Sequence, residues 1–183
     1  LFSTALSDAS RSLVASRNMI TKVYFPKLLI PFSAILSGVV DFGIAFIILI
    51  AMMFFYKVSL SLAMLAVPAF VLLALLAALG VGLWLSAWNL HYRDVRYLLP
   101  LLTQMWLLAT PIAYPLSEIP EQWQTLYSLN PMVGAVEGFR WALLGTDTFP
   151  AEAALISVAV SLALFVSGLF YFKRMERTFA DMV

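Results

Sequence analysis

The sequence holds no cysteine and a single histidine, His91. Without thiols there is no disulfide framework and no thiolate metal site, and one imidazole with no carboxylate cluster beside it does not make a metal centre. Charge is nearly as scarce: Asp, Glu, Lys and Arg make up 11% of the 183 residues, and Lys+Arg 11 against Asp+Glu 10 leaves a formal net charge of +1. A chain so close to neutral has no electrostatic reason to bind nucleic acid. It also lacks the polar side chains that coat a water-soluble domain, where about 25% of residues are charged. Catalytic motifs are missing too, with no G-x-x-x-x-G-K-[ST] phosphate loop, no nucleophile elbow and no H-E-x-x-H. If the chain does active work, its energy comes from elsewhere. What is abundant is apolar: 63% of the residues are hydrophobic, and the mean hydropathy is +0.95. The natural solvent is lipid.

A bilayer core of about 30 Å needs roughly 20 apolar residues in a helix. Runs at 32–56, 62–88, 97–114 and 153–172 predict four spans and an all-α, polytopic membrane bundle in a single domain. The first run is interrupted only by Asp41, the second carries Pro68, and the third is short and contains Pro100 and Pro111. Loops rich in Lys and Arg stay in the cytoplasm. That rule places Arg11, Arg17, Lys22, Lys27, Arg93, Arg96, Lys173, Arg174 and Arg177 on the cytoplasmic side, and with them both ends of this chain, including the tail 173–183. The opposite side receives Lys57 and Arg140 with Glu118, Glu121, Glu137, Asp147 and Glu152. Because the chain opens on Leu1 and Phe2 and passes straight into polar residues, it reads as part of a longer protein whose amino-terminal part is missing.

Two segments depart from a plain four-helix picture. In residues 8–27, Leu13, Val14, Met19, Ile20, Val23, Tyr24 and Phe25 alternate with Arg11, Arg17, Asn18, Thr21 and Lys22, the pattern of a helix lying on the cytoplasmic membrane surface. Pro26 and Pro31 then bend the chain into the first span. Residues 115–150 predict two short helices on the outer side. Ser117, Pro120 and Glu121 start the first, Asn130-Pro131 starts the second, and Gly145 ends it. Neither is long enough to cross, yet Met132, Val133, Val136, Phe139, Leu143 and Leu144 are too apolar for an open loop, which predicts a re-entrant pair.

Asp41 is the one ionisable residue deep in a span, where a charge costs at least about 2.5 kcal/mol and must face protein or water. It shares a helix face with Ser33, Ser37 and Ala45 and reads either as an ion or proton relay or as a polar helix contact. Ala74, Ala78, Gly82 and Ser86 form a small-residue stripe suited to close helix approach, and Ser157 and Ser161 in the last run read alike. Trp106, beside Thr103, Gln104 and Thr110, falls nearer mid-span than an interfacial aromatic belt requires. Trp106 and Gln104 fit equally a pore lining that stacks on and hydrogen-bonds sugars, or ordinary core. Glu137 and Arg140 lie one turn apart and read as a local ion pair or as a gating or substrate contact.

Several of these segments resemble one known family. The run Asn18-Met-Ile-Thr-Lys-Val-Tyr-Phe-Pro-Lys27 with Leu28-Leu-Ile-Pro31 and Val40-Asp41-Phe42, then Asn89-Leu-His-Tyr-Arg-Asp-Val-Arg96, Ala109-Thr-Pro-Ile-Ala-Tyr-Pro115, and Leu129-Asn-Pro-Met132 leading to Phe139-Arg140, is similar to the permease subunit of type-2 ATP-binding-cassette exporters. The branch it resembles exports lipid-linked polysaccharides such as O-antigen, capsule and teichoic acid. The resemblance implies a six-span inner-membrane subunit, here represented by its last four spans, that works as a homodimer with a cytoplasmic ABC ATPase. No cofactor would be bound by this chain; ATP and magnesium would sit on the ATPase partner. Asn18, Met19, Ile20, Thr21, Lys22, Val23, Tyr24, Phe25 and Pro26 would form the ATPase-coupling helix, and Trp106 and Tyr114, with Gln104, would line the substrate pathway. An exporter of the same architecture with a small substrate is the nearest alternative, and an ion-coupled secondary transporter built on Asp41 a more distant one.

Overall fold

The computed structural model describes residues 1–16, 25–58, 61–92, 94–112, 114–145, 149–176 and 179, with the backbone alone at residue 121. Every regular element among them is helical: α1 (Phe2–Ala15), α2 (Leu29–Phe55), a 3-10 turn (Leu62–Ala66), α3 (Val67–His91), α4 (Val95–Ala109), a second 3-10 turn (Leu116–Glu118), α5 (Glu121–Ser128), α6 (Pro131–Leu144) and α7 (Ala151–Glu176). Three stretches are long and apolar enough to cross a membrane: α2, the first 3-10 turn with α3, and α7. Pro68 is tolerated in the second because it occupies the first turn of α3, where its missing N–H has no intrahelical partner to lose.

The third expected span is shorter than its apolar run. α4 has 15 residues, a rise of about 22 Å. It stops because Pro111 disfavours helical backbone at the residue before it, and Thr110 is extended at ψ 126°. The expectation of a surface helix over 8–27 is also corrected in the part the structure describes. Residues 8–15 complete α1, which is inserted into the bundle with Ala5, Leu6, Ala9, Ser10 and Leu13 buried. Arg11 stays exposed on its outer face. Residues 17–24 lie outside the described residues.

The most enclosed of the long helices is α3. It is apolar on all sides, as a helix surrounded by others must be. The stripe Ala74, Ala78, Gly82 and Ser86 is buried along it, and a Cβ on Gly82 would meet Ala9 Cβ at 3.0 Å and Ile35 Cδ1 at 3.2 Å. On the other side α7 approaches closer still: a Cβ on Gly168 would stand 2.7 Å from the Gly80 carbonyl oxygen, and one on Gly80 2.7 Å from the Phe165 nitrogen.

The helix ends sort into two poles. At the basal pole, Leu13 of α1, Ile30 of α2, Leu83, Ala87 and Leu90 of α3, Phe172 of α7 and Phe179 form one cluster. At the apical pole, α5 and α6 cap the starts of α3 and α7, with Phe70, Leu73 and Ala74 of α3 against Ala135 and Phe139 of α6. Gly168→Ala forces a methyl onto a backbone oxygen that cannot yield. It is expected to destabilise the bundle by about 1–3 kcal/mol, read as a lowered unfolding midpoint in lipid or detergent, whereas Ala at Gly43, with nothing within 4 Å of its Cβ position, leaves the midpoint in place.

Candidate functional site

The apical pole is organised by one side chain. Asn130 is the N-cap of α6, its Oδ1 accepting from Met132 N at 3.0 Å with Pro131 in the first turn behind it. The same oxygen accepts from Trp106 Nε1 at 3.0 Å. Its amide nitrogen donates to Thr110 Oγ1 at 2.9 Å and to the Ala109 carbonyl at 3.4 Å, one of the carbonyls that the end of α4 leaves without an intrahelical donor. The Asn130 carbonyl in turn accepts from Ser157 Oγ of α7 at 3.4 Å, and that hydroxyl accepts from Gly134 N at 2.9 Å. One asparagine therefore joins the end of α4, the start of α6 and the start of α7. Its role as a helix start is legible in Asn130-Pro131; its distant partners carry no local signal.

Glu137 and Arg140 form the expected ion pair on α6, with side-chain exposures of only 12% and 17%. Both also reach the irregular stretch after α4. Arg140 donates to the carbonyls of Ile112 at 3.1 Å, Tyr114 at 3.3 Å and Pro111 at 3.5 Å, and Glu137 accepts from Leu116 N at 2.9 Å. Non-helical backbone at membrane depth is tolerated only where protein or water satisfies it, and this pair supplies the partners. Beside it, Leu116, Glu118, Gln124 and Pro150 line a mixed polar cavity of about 630 Å³.

Of the three residues expected along a substrate pathway, Trp106 and Gln104 lie on different faces of α4. Trp106 faces an apolar cavity of about 260 Å³ together with Phe2, Phe42, Met132 and Phe139, its ring 5.3 Å from that of Phe2. Its N–H is taken by Asn130, and the Thr103 and Thr110 hydroxyls bond back to Leu99 O at 3.0 Å and Trp106 O at 2.8 Å. Gln104, two positions from Trp106, is exposed on a different face of α4. Tyr114 lies beyond the helix, where a hydrogen bond to the Tyr127 side chain, then burial and the Tyr127 charge, hold its phenol above the usual value of 10.0. It is neutral at physiological pH.

Asp41 sits midway along α2 on an exposed face. Ser33 and Ser37 on that face donate to their own helix, at Ile30 O and Ala34 O. Among the described residues no hydrogen bond or ion pair reaches Asp41. No group of three or more His, Cys, Asp or Glu that could hold a metal occurs among the described residues. Of the expected coupling segment, Asn18 to Tyr24 lie outside the described residues. Phe25 packs on the basal cluster, and the Pro26 carbonyl accepts from Leu29 N at 3.0 Å to open α2.

Asn130→Ala removes the cap and leaves the Trp106 N–H and the Ala109 carbonyl without their partner. The expected cost is about 2 kcal/mol, measured by unfolding followed through tryptophan fluorescence, together with faster proteolysis between α4 and α5.

Comparison with known proteins gives these elements a setting. The profile of the ABC-2 type transporter family matches residues 1–144. An O-antigen export system permease protein RfbA of Myxococcus xanthus is 26% identical over 185 residues, covering 100% of this chain and 71% of that protein. A protein of the same name from Klebsiella pneumoniae is 25% identical over 183 residues, covering 100% of this chain and 70% of its own length. With the family profile extending from Leu1 through the whole of α6, the chain belongs to the ABC-2 type transporter family.

Proposed function

We propose that the chain is the membrane-spanning subunit of an exporter that moves a lipid-linked polysaccharide across the cytoplasmic membrane, driven by a separate ATPase. Membership of the ABC-2 family supplies transport and an ATPase partner. The observation that carries the substrate class is similarity along the entire chain to permeases named for O-antigen export. In this reading the subunit pairs with a second copy, the basal pole is cytoplasmic, and ATP and magnesium are held by the ATPase. The Lys and Arg residues that precede the first span, lie between the second and third, and follow the last support that orientation.

The coupling is mechanical. Asn18 to Pro26 seat on the ATPase, and nucleotide-driven movement there leaves the segment through Pro26 and Pro31 toward α2. At the apical pole the α5–α6 pair covers the exit, braced by Asn130 and by the Glu137–Arg140 pair. Trp106 and Tyr114 flank that pair, Trp106 from below and Tyr114 from the loop that Arg140 holds. Asp41 is not read as a relay, since no second intramembrane acid or histidine accompanies it.

Purification of the full-length protein from its native membrane is expected to retain a stoichiometric ATPase carrying phosphate-loop motifs, and reproducible absence of one overturns the reading. Ile20→Asp with Tyr24→Asp places two charges in the proposed contact and is expected to lower ATPase retention by at least about tenfold; full retention removes the coupling assignment. Asp41→Asn is expected to leave the pH dependence of export unchanged.

A further inference from the structure

The corner that follows the proposed coupling segment is tied to α7 as well as to α2. The last carbonyls of a helix lack intrahelical partners, and here Lys27, in the turn that leads into α2, meets the end of α7. The Lys27 ammonium donates to the Glu176 carbonyl at 3.3 Å, while the Lys27 amide donates to Glu176 Oε1 at 3.4 Å. A cation at the carboxyl end of a helix is favoured by the helix dipole as well. The same ammonium stands 5.8 Å from the centroid of the Phe179 ring. Phe179 is 0% exposed. It meets Phe172 edge-on at 5.2 Å and belongs to the cluster on which Phe25 and Leu28 pack. The Phe179 ring thus packs against the corner at 25–28 and the end of α7.

The far end of α7 is gripped as firmly. Ser157 is fully buried, donates to the Asn130 carbonyl and accepts from Gly134 N. The two helices interlock there, since a Cβ on Gly134 would fall 2.7 Å from Ser157 Cβ and from the Ala153 carbonyl oxygen. Between these grips the helix runs without a break from Ser157 to Glu176, about 29 Å of stiff rod. By contrast, α2 reaches α6 through a tilted ring contact, Phe42 to Phe139 at 6.0 Å. A loose ring contact can slide; a hydrogen-bonded, interlocked joint moves with its neighbour.

We propose that α7 is the rod that carries nucleotide-driven displacement from the corner at 25–28 to the Asn130 joint, with Lys27, Glu176 and Phe179 positioning its basal end and Ser157 its apical end. This rests on Asn18 to Pro26 being the ATPase-coupling segment. It adds a route through the last helix to the one through α2. Movement at the base then displaces the start of α6, and with it Trp106 and the loop held by Arg140.

The test uses the full-length protein with its co-purified ATPase in lipid. A spin label on Ser117→Cys, in the exposed apical turn, reads the response to ATP, magnesium and vanadate; this chain contributes no other thiol. The parent is expected to respond. Phe179→Ala and Ser157→Ala are expected to retain and run the ATPase while the label's response falls about tenfold, within the range of coupling between distant sites. Lys27→Met removes only the ammonium and keeps the stem, so it cuts the basal end where Phe179→Ala fails to fold, with the same loss expected. An undiminished response in Ser157→Ala or Lys27→Met overturns the role of α7 while leaving the exporter intact. A parent that holds no ATPase overturns the functional reading instead.

Discussion

Between Gly80 of α3 and Gly168 of α7 there is no room for a single methyl group, because a Cβ on Gly168 would lie 2.7 Å from a backbone oxygen. In lipid the apolar surface of a helix gains little by leaving its surroundings, so helices associate through close packing and through hydrogen bonds between them. Small residues are what allow the approach. Gly80 admits α7, Gly82 admits Ala9 of α1 and Ile35 of α2, and Gly138 leaves space for the Phe70 ring. The arrangement of the other helices follows from how closely α3 lets each one come.

Polar chemistry is correspondingly pushed to the two poles. Asn130, Arg140, Glu137 and Ser157 gather at one end and Lys27 and Glu176 at the other, while Asp41, Ser161 and the Trp84–Ser167 hydrogen bond are polar features of a mainly apolar body. Such a body transmits movement well and generates none. Membership of the ABC-2 type transporter family implies that a partner ATPase supplies the energy. What distinguishes one helix from another as a carrier of movement is the quality of its end joints, and α7 has hydrogen-bonded joints at both ends.

Local chemistry was legible in the sequence and distant pairing was not. Asn130-Pro131 and Gly145 mark the two ends of α6 because a side-chain cap, a first-turn proline and a left-handed residue at φ 68° are each a matter of a few neighbouring atoms. The spacing of Glu137 and Arg140 likewise announced their pair. Three apolar runs became long helices, but the run at 97–114 counted hydrophobic residues without weighing what Pro111 does to Thr110. Residues 8–15 read as part of a surface helix because Arg11 and the polar residues after it interleave with apolar ones; what decides their burial is the fit of Ala5 and Ala9 against α2 and α3, a matter of volume that periodicity does not express. Trp106 was singled out for its aromatic face, whereas its indole N–H is committed to a residue 24 positions away.

The early end of α4 has an effect on the solvent as well as on the chain. At 15 residues the helix rises about 22 Å, against a hydrocarbon layer of about 30 Å. Its outward face carries Leu101, Met105 and Leu108, all exposed, and wherever that face meets lipid the acyl chains border a helix too short for them. Hydrophobic mismatch of this sign is relieved by thinning of the adjoining bilayer. A thinner strip of membrane beside α4 shortens the distance a head group must travel through hydrocarbon, and the subunit would then reshape the very barrier across which it works.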